Sequence, residues 1–433
     1  MESQPEDPHG FSIESRTRRA TSPAPRSSLQ PAGAATCPAC SDATVATPPG
    51  RPMTRTIYAA DHLAFRDTVR DFTQRHLIPE HERIIEQRFI DREIWIEAGK
   101  LGLLGLEVPE QYGGSAAGDY RFNAVVGEEL SRVSAAIASS FGIHYEIVAP
   151  YLVELTTEEQ KQRWLPGFCT GELVTAIAMT EPAAGSDLAG LKTTARRDGD
   201  DWILNGSKTF ITNGYHADLV IVAAKTSPEK KAKGITLFAV ETGMAGFERG
   251  RKLDKVGQPE SDTAELFFTD VRVPAANVIG EVDSGFAHMM RMLPQERICA
   301  AVSNLAHAEA ILGETLDYAR ERRAFGQAIG SFQYNKFLFA ELVTTLEVAQ
   351  AFVDRCVQAH TEGRLSAVDA AKAKWWSSQV QNQILDSCVQ LHGGYGFMNE
   401  YRVARAWKDA RVTKIWAGSN EIMKEIIGRD LGL

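Results

Sequence analysis

The chain has 433 residues, of which 44% are hydrophobic and 24% are charged, as is usual for globular proteins. At roughly 150 residues per domain, this length predicts about three domains. The 47 basic residues are outnumbered by 56 acidic ones, which argues against a general nucleic-acid binder. No run approaches the ~18 apolar residues of a membrane-spanning helix. Six cysteines are too few for a disulfide scaffold and indicate a reducing compartment, with the cytoplasm of a bacterium favoured over the mitochondrial matrix of a eukaryote.

Residues 1–52 differ in composition from the rest of the chain. They contain nine of the 18 prolines and almost no large apolar residues, so they are predicted to be a disordered tail. Their arginines are typical of a transit peptide, but their acidic residues are not. Cys37 and Cys40 form a CxxC pair without a second ligand pair nearby, and we therefore predict no metal site.

The remaining chain is predicted to form an α+β multidomain fold, with helices first, then strands, then helices again. Residues 53–172, the helical N-terminal domain, show apolar residues at helical spacing, and Thr157 followed by Gln160 is typical of a helix N-cap with a capping box. Residues 173–284 contain short strand patterns separated by Gly and Pro, which predict a central β-barrel domain or a small sandwich. Within this domain, Asn205–Gly206 between two apolar runs predicts a two-residue hairpin turn.

Residues 285–433 are predicted to form a C-terminal four-helix bundle. The proline-free segments 295–324, 331–362 and 366–391 keep an apolar periodicity long enough for antiparallel helices joined by short loops. A shorter helix is expected over 420–427, with Gly428 as its C-terminal stop.

Several common catalytic signatures are missing from the sequence. It has no GxGxxG after a strand, no GxxxxGK[ST], no HExxH and no GxSxG. Any nucleotide or metal chemistry therefore uses another framework.

Two loops in the β region could face a ligand. Met179-Thr-Glu-Pro-Ala-Ala-Gly-Ser-Asp187 offers hydroxyls and backbone N–H groups to a flavin or a phosphate, although a Pro/Gly turn explains its composition as well. Phe210-Ile-Thr212 places an aromatic ring beside a hydroxyl. Phe210 could flank a planar ring or could belong to the core.

Two further loops lie in the C-terminal region. Gln390-Leu-His-Gly-Gly-Tyr-Gly-Phe397 has three glycines in four positions, which allow close backbone approach to a bulky anion. Ile415-Trp-Ala-Gly-Ser-Asn-Glu421 places Ser419 or Asn420 at the start of the last helix. The backbone amides there could polarise an oxygen, and a plain helix cap is the alternative.

The segment Leu293-Pro-Gln-Glu-Arg297 leads into a long apolar helix. Glu296 is either a solvated first-turn carboxylate, favoured by the helix dipole, or a functional acid. The residues alone do not decide between the two.

The motifs MTEPAAGSD, NGSKTFITNG, ERRAFGQ, QLHGGYGF and IWAGSNEI, in this order, make the chain resemble the acyl-CoA dehydrogenase family from about residue 56 to residue 433. LPQER, GRKLDKVG and DTAELFFTDVRVP are most similar to the long-chain branch of that family. The resemblance implies tightly bound FAD, an acyl-CoA substrate, a homotetramer, and electron-transferring flavoprotein as the electron acceptor.

The resemblance also implies which residues hold these ligands. Arg322, Gln333 and the glycine loop would reach the FAD of a neighbouring subunit. The residues expected to bind FAD are Met179, Thr180, Ser186, Phe210, Thr212, Arg322, Gln333, Gln390, Gly393, Gly394, Ser419, Asn420 and Glu421. Those expected to bind acyl-CoA are Ser186, Lys233, Pro294, Gln295, Arg297, Ala417 and Gly418. Lys233 belongs to a run with Lys230 and Lys231 that could instead be a solvated loop.

The catalytic base follows from the same resemblance. Many members of the family place a glutamate between the aromatic residue and the glycine of the last motif, where this chain has Ala417. The long-chain and isovaleryl branches place it instead on the first helix of the bundle, at the position of Glu296. The resemblance therefore implies that Glu296 is the base.

The implied reaction is the α,β-dehydrogenation of an acyl-CoA thioester to a trans-2-enoyl-CoA, of the fatty-acid β-oxidation type. Glu296 would take the α-proton while the β-hydride passes to flavin N5, and the N–H of Ala417 with a ribityl hydroxyl would stabilise the enolate. Three alternatives stay open: an isovaleryl-type branched-chain dehydrogenase, a flavin oxidase or monooxygenase, and an inactive FAD- or acyl-CoA-binding subunit.

Overall fold

The computed structural model describes residues 55–433 of the chain. The predicted disordered tail, with Cys37 and Cys40, lies outside these residues. The first part of the described chain is helical, with two single π-helical turns at Thr73–Leu77 and Ile143–Val148. Its α-helices are α1 (Ala60–Phe72), α2 (His81–Gln87), α3 (Arg92–Lys100), α4 (Tyr120–Val133), α5 (Ala135–Gly142), α6 (Ala149–Glu154) and α7 (Glu158–Thr170).

The predicted capping box at the start of α7 is confirmed. The Thr157 hydroxyl accepts a hydrogen bond from the backbone N–H of Gln160, and the Gln160 side chain accepts one from the backbone N–H of Thr157. Two N–H groups that the helix itself cannot pair are satisfied in this way, which fixes where α7 begins.

The middle of the chain forms one eight-stranded sheet. The path of hydrogen-bonded strands is β6-β7-β3-β2-β4-β5-β8, and β1 pairs with β4 in parallel. The strands are β1 (Thr175–Ala178), β2 (Thr194–Asp198), β3 (Asp201–Thr212), β4 (Leu219–Lys225), β5 (Ile235–Glu241), β6 (Phe247–Lys252), β7 (Thr263–Val273) and β8 (Val278–Ile279).

This sheet is strongly curled. β5 and β7 are separated by four strand spacings along the sheet, which is ~19 Å in a flat one, yet they contact each other. One face of β4, with Leu219 and Ile221, packs against the helices before the sheet. The other face, with Val220 and Val222, encloses a core made almost wholly of strand residues.

The hairpin predicted at Asn205–Gly206 is wrong. Both residues lie inside β3, and the turn lies one segment earlier, where Asp198 of β2 pairs with Asp201 of β3. Asn205–Gly206 instead marks an irregularity in the pairing of β3 with β7. Gly206 has φ +150°, and a Cβ there would lie 2.5 Å from the hydroxyl oxygen of Thr193, so the glycine serves a bulge and a close approach rather than a turn.

The last part of the chain is a helical bundle. Its α-helices are α8 (Gly285–Glu321), α9 (Gln333–Thr361), α10 (Ala367–His392), α11 (Arg402–Ala410) and α12 (Asn420–Asp430), and the short strands β9 (Arg323–Ala324) and β10 (Gln327–Ala328) follow α8. The predicted order of helices, sheet and helices is therefore confirmed.

Two helix boundaries differ from the prediction. α8 begins ten residues before the expected start at 295 and runs through Pro294, which was expected to precede the helix. α12 continues through Gly428 to Asp430, because a glycine within a helix lowers stability without forcing an end. The core between α8, α9 and α10 is apolar and well buried, and α4 packs against α8 from the N-terminal part.

Candidate active site

Glu296 lies on α8, on the side that faces the N-terminal helices. The residue is 8% exposed, and the phenol of Tyr151 donates a hydrogen bond to Glu296 Oε1 at 3.1 Å. Burial raises the pKa of Glu296 to about 7, while the Tyr151 hydrogen bond and the charge of Arg297 oppose this rise. A carboxylate with a pKa near neutrality can both accept and release a proton under ordinary conditions. Of the two readings left open by the sequence, the solvated carboxylate is thus wrong.

Ala417 and Gly418 form a left-handed turn before α12. Their φ angles are +51° and +85°, and Ser419 then caps α12 by accepting the backbone N–H of Ile422. The left-handed angle of Gly418 favours glycine, whereas the 2.5 Å approach of an added Cβ to the terminal methyl of Met423 could be relieved by movement of that flexible side chain. Asn420 is the first residue of the helix rather than its cap, and Glu421 is exposed beside it.

Lys374 connects this turn to the surroundings of Glu296. Its ammonium donates hydrogen bonds to the carbonyl of Gly418 at 2.6 Å and to Oδ1 of Asn420 at 3.3 Å. The charge of Arg297, which is itself buried, helps to lower the pKa of Lys374 to about 8, with burial as the larger cause. Lys374, for which the sequence offered no signal, therefore links Arg297, next to Glu296 on α8, with Gly418 and Asn420 of the last motif.

Pro294 and Gln295 lie on α8 just before Glu296. The Gln295 amide donates to Oε1 of Glu107 at 2.7 Å, and its carbonyl oxygen accepts from Nε2 of His360 at 3.0 Å. Burial raises the pKa of Glu107 to about 7. The side chain of Gln295 thus forms hydrogen bonds to other side chains of the protein.

A second missed carboxyl, Glu146, lies close to this cluster. The Tyr120 phenol donates to Glu146 Oε2 at 3.0 Å, and burial, followed by the charge of Glu107, raises the pKa of Glu146 to about 8. Sequence patterns gave no signal for Tyr151, Lys374, Glu107 or Glu146, because each is recruited from a different helix or loop.

Phe210 forms an aromatic platform at the end of β3. It is 68% exposed and has φ +61°, so it is not a core residue. The backbone N–H of Thr209 donates to the carbonyl of Thr180 at 3.0 Å, which holds the Met179–Thr180 segment beside Phe210, with Thr212 two residues further along β3. An exposed ring with hydroxyl residues on either side fits one face of a planar heterocycle.

A buried ion pair anchors the loop beside Phe210. The ammonium of Lys208 lies 2.8 Å from Glu181 Oε1 and donates to the carbonyl of Met179 at 3.2 Å. Glu181 also accepts the backbone N–H of Thr193 at 3.0 Å. The exposed tip with Ser186 is therefore held at its base, and the segment Pro228–Gly234, which contains the exposed Lys233, contacts the residues that follow this tip.

The remaining predicted residues lie at the far end of α8. Arg322 follows the last residue of that helix, 26 residues after Glu296, or ~39 Å away at 1.5 Å per residue. Arg322, Gln390, Gly393 and Gly394 line one open cleft together with Tyr395. A Cβ on either glycine would meet no atom within 4 Å in the described chain, so the space above them is free. Gln333 is exposed at the start of α9 and does not line this cleft.

Two general features of the described chain bear on its chemistry. Within residues 55–433, no helix combines the length and the apolar character needed to cross a lipid bilayer. In the same residues, no three His, Cys, Asp or Glu side chains are grouped so that they could hold a metal ion.

Three family models match the chain in succession. They describe the N-terminal, middle and C-terminal domains of acyl-CoA dehydrogenases and match residues 59–172, 176–271 and 283–432. The long-chain specific acyl-CoA dehydrogenase of Rattus norvegicus mitochondria is 45% identical over 420 residues, which cover 96% of each chain.

Solved structures agree with these matches. The crystal structure of an acyl-CoA dehydrogenase from Geobacillus kaustophilus is similar with a TM-score of 0.86 and 44% identity, covering 88% of this chain and all of that one. A glutaryl-CoA dehydrogenase from Mycobacterium smegmatis in complex with FADH2 has a TM-score of 0.81 and 27% identity, covering 87% of this chain and 95% of that one. The chain belongs to the acyl-CoA dehydrogenase family.

Proposed function

We propose that the protein is an FAD-dependent acyl-CoA dehydrogenase of fatty-acid oxidation, with Glu296 as its base. The observation that carries this proposal is the buried Glu296, whose pKa is raised to about 7. The long-chain relative supports the substrate class. Ala417 alone would favour a catalytically inactive binding subunit, and the buried Glu296 argues against it.

The α C–H of a thioester is a very weak acid, so the chain must both accept the proton and stabilise the enolate. Glu296 takes the α-proton at its carboxylate, and its raised pKa makes it a stronger base than an exposed glutamate. The N–H of Ala417, presented by the left-handed turn, donates to the thioester oxygen as negative charge develops there. Arg297 follows Glu296 on α8 and is buried, and its positive charge would favour the developing enolate.

The residues around Phe210 fit the isoalloxazine ring of FAD. The exposed Phe210 offers one face, with Met179, Thr180 and Thr212 beside it. Trp416, which precedes Ala417 in the last motif, has a buried Nε1 donor that no described residue satisfies. When bound, FAD supplies the acceptor for the β-hydride. Ser186 and Lys233 lie on the exposed loops nearby and suit the CoA portion of the substrate.

The second group of predicted FAD residues supports an assembly of several chains. Arg322, Gln390, Gly393 and Gly394 lie ~39 Å along α8 from Glu296, too far for one extended dinucleotide to reach both places on one chain. A second copy would bring its cleft to the flavin. Around this end of the bundle Phe325 is 94% exposed and Phe397 79% exposed, as suits a face that another chain covers. We infer a homotetramer, with electron-transferring flavoprotein as the physiological acceptor.

Anaerobic mixing with a panel of acyl-CoA esters tests the proposed function. We expect the yellow protein to release FAD rather than FMN on denaturation, and its flavin absorbance to bleach with straight-chain acyl-CoA esters. A panel that includes butyryl-, palmitoyl- and isovaleryl-CoA distinguishes a preference for acyl-chain length from a preference for branched chains. No bleaching with any ester would overturn the proposal, and rapid hydrogen peroxide formation in air would identify an oxidase instead. Light scattering should give about four times the 47.5 kDa mass of the chain.

A further inference from the structure

The ammonium of Lys374 is buried, and within residues 55–433 no carboxylate lies at ion-pair distance from it; the charge of Glu421 acts on it from further away. The residue is 0% exposed, and within the described part of the chain its hydrogen-bond acceptors are the Gly418 carbonyl and Asn420 Oδ1. The same Asn420 oxygen accepts a hydrogen bond from the Ser378 hydroxyl at 3.0 Å. The lysine thus forms hydrogen bonds to the residues on both sides of Ser419.

This arrangement is costly for stability. A buried ammonium loses its hydration, and two neutral oxygens compensate for that loss less well than a carboxylate does. Arg297 is a second buried cation on the neighbouring α8, and its charge further lowers the pKa of Lys374. An apolar side chain of similar length would fill the same space without this cost, so folding alone does not explain two cations here.

The position of Lys374 gives it a role in the reaction. Gly418 and Ala417 have left-handed backbone angles, which are unfavourable for the alanine. A hydrogen bond at the Gly418 carbonyl fixes the peptide plane that follows Ala417–Gly418. We infer that Lys374 is a positioning residue, which holds the left-handed turn so that the N–H of Ala417 meets the thioester oxygen, and whose positive charge favours the enolate. This inference rests on the proposed function.

A substrate analogue that can lose its α-proton but cannot be dehydrogenated tests the positioning role of Lys374 without turnover. A 3-thia-acyl-CoA ester has acidic α-protons but carries sulfur in place of the β-carbon, so it can lose an α-proton and cannot be dehydrogenated. On the protein the α C–H bond breaks, the proton passes to Glu296, and the electron pair moves onto the thioester oxygen. The apparent pKa of the bound ester, followed by its absorbance spectrum in the FAD-loaded protein, measures how well the site stabilises the enolate.

Lys374→Met removes the charge and the donors at nearly constant length. We expect it to lower ionisation of the bound ester about tenfold to a hundredfold, somewhat less than the ~10²–10³ cost of losing an oxyanion donor itself. The dissociation constant of the un-ionised ester at low pH should stay unchanged, whereas a purely structural defect would weaken binding and increase this constant. Lys374→Arg should restore part of the ionisation. Lys372→Met, which changes a half-buried lysine on the same helix whose ammonium pairs with Asp369, is the matched control and should ionise the bound ester like the wild type.

The outcomes are distinguishable. Wild-type ionisation in Lys374→Met would overturn the inference while leaving the proposed function intact. If the wild type itself binds the ester but does not ionise it, the proposed function fails and the inference with it. If Lys374→Met does not fold, Lys374→Gln, which keeps a donor but not the charge, takes its place, and wild-type ionisation in that variant would equally overturn the inference.

Discussion

The hydrogen bond from Tyr151 to Glu296 should set the pH at which the protein becomes active. The Tyr151 phenol donates to Oε1 at 3.1 Å, and this bond favours the ionised carboxylate. Tyr151→Phe removes the donor and keeps the ring. The pKa of Glu296, raised by burial to about 7, should therefore rise further.

The size of the effect follows from the energy of such bonds. A hydrogen bond to a charged group contributes about 1.5–3 kcal/mol, and one pKa unit corresponds to about 1.4 kcal/mol, so a rise of at least about one unit is expected. A midpoint that moves from about 7 to about 8 reduces the ionised fraction at pH 7 from about a half to about a tenth. We thus expect flavin reduction to be about fivefold slower at pH 7 and nearly unchanged above pH 9.

The assay is the pH dependence of kcat/KM, which reports the pKa of the free enzyme. Activity should rise with pH through the midpoint, because the base must be ionised. Tyr120→Phe is the matched control, since that phenol donates to Glu146 instead of Glu296, and its midpoint should match the wild type. An unchanged or lower midpoint in Tyr151→Phe would refute the reasoning.

Three further predictions concern the residues around the site. Because burial raises the pKa of Glu146 to about 8, the stability that this group contributes is complete below its ordinary pKa of 4.5 and is lost as the pH rises through 8. Glu146→Gln should therefore flatten the dependence of Tm on pH between these values. An unaltered slope would count against this assignment of the pH dependence to Glu146. Gly418→Ala should destabilise the protein by about 1–2 kcal/mol in thermal unfolding, whereas Gly428→Ala, with open space around it, should not; equal effects would argue against the left-handed turn. Ala417→Glu should recover part of the flavin reduction lost in Glu296→Gln, and a lack of recovery would show only that a glutamate at 417 cannot reach the α-carbon.

Local sequence signals predicted much of the fold. The capping box at Thr157 and the long apolar periodicities of α9 and α10 depend on neighbouring residues, and the structure places them as expected. The Asn205–Gly206 signal failed because the same dipeptide suits a bulge inside a long strand, and only the pairing of β3 with β7 decides between the two. Pro294 was expected to precede its helix, yet α8 runs through it.

The candidate site was predictable only where motifs mark it. The resemblance to the family implied that Glu296 is the catalytic base, and its burial agrees with that role. The roles of the site residues and the domain boundaries at 173 and 285 stay predictions. Tyr151 and Lys374 stand in no motif. They reach the site from α6 and α10, so their contacts depend on how helices pack, which residue spacing does not determine.

The central claim is that Glu296 removes the α-proton, and rapid mixing of the Glu296→Gln variant with acyl-CoA tests it most directly. Glutamine keeps the shape and the hydrogen bond to Tyr151 but cannot accept the proton. We predict a variant that folds, holds FAD and binds acyl-CoA, and whose flavin bleaches at least ~10³-fold more slowly than that of the wild type. Bleaching at the wild-type rate would contradict the claim.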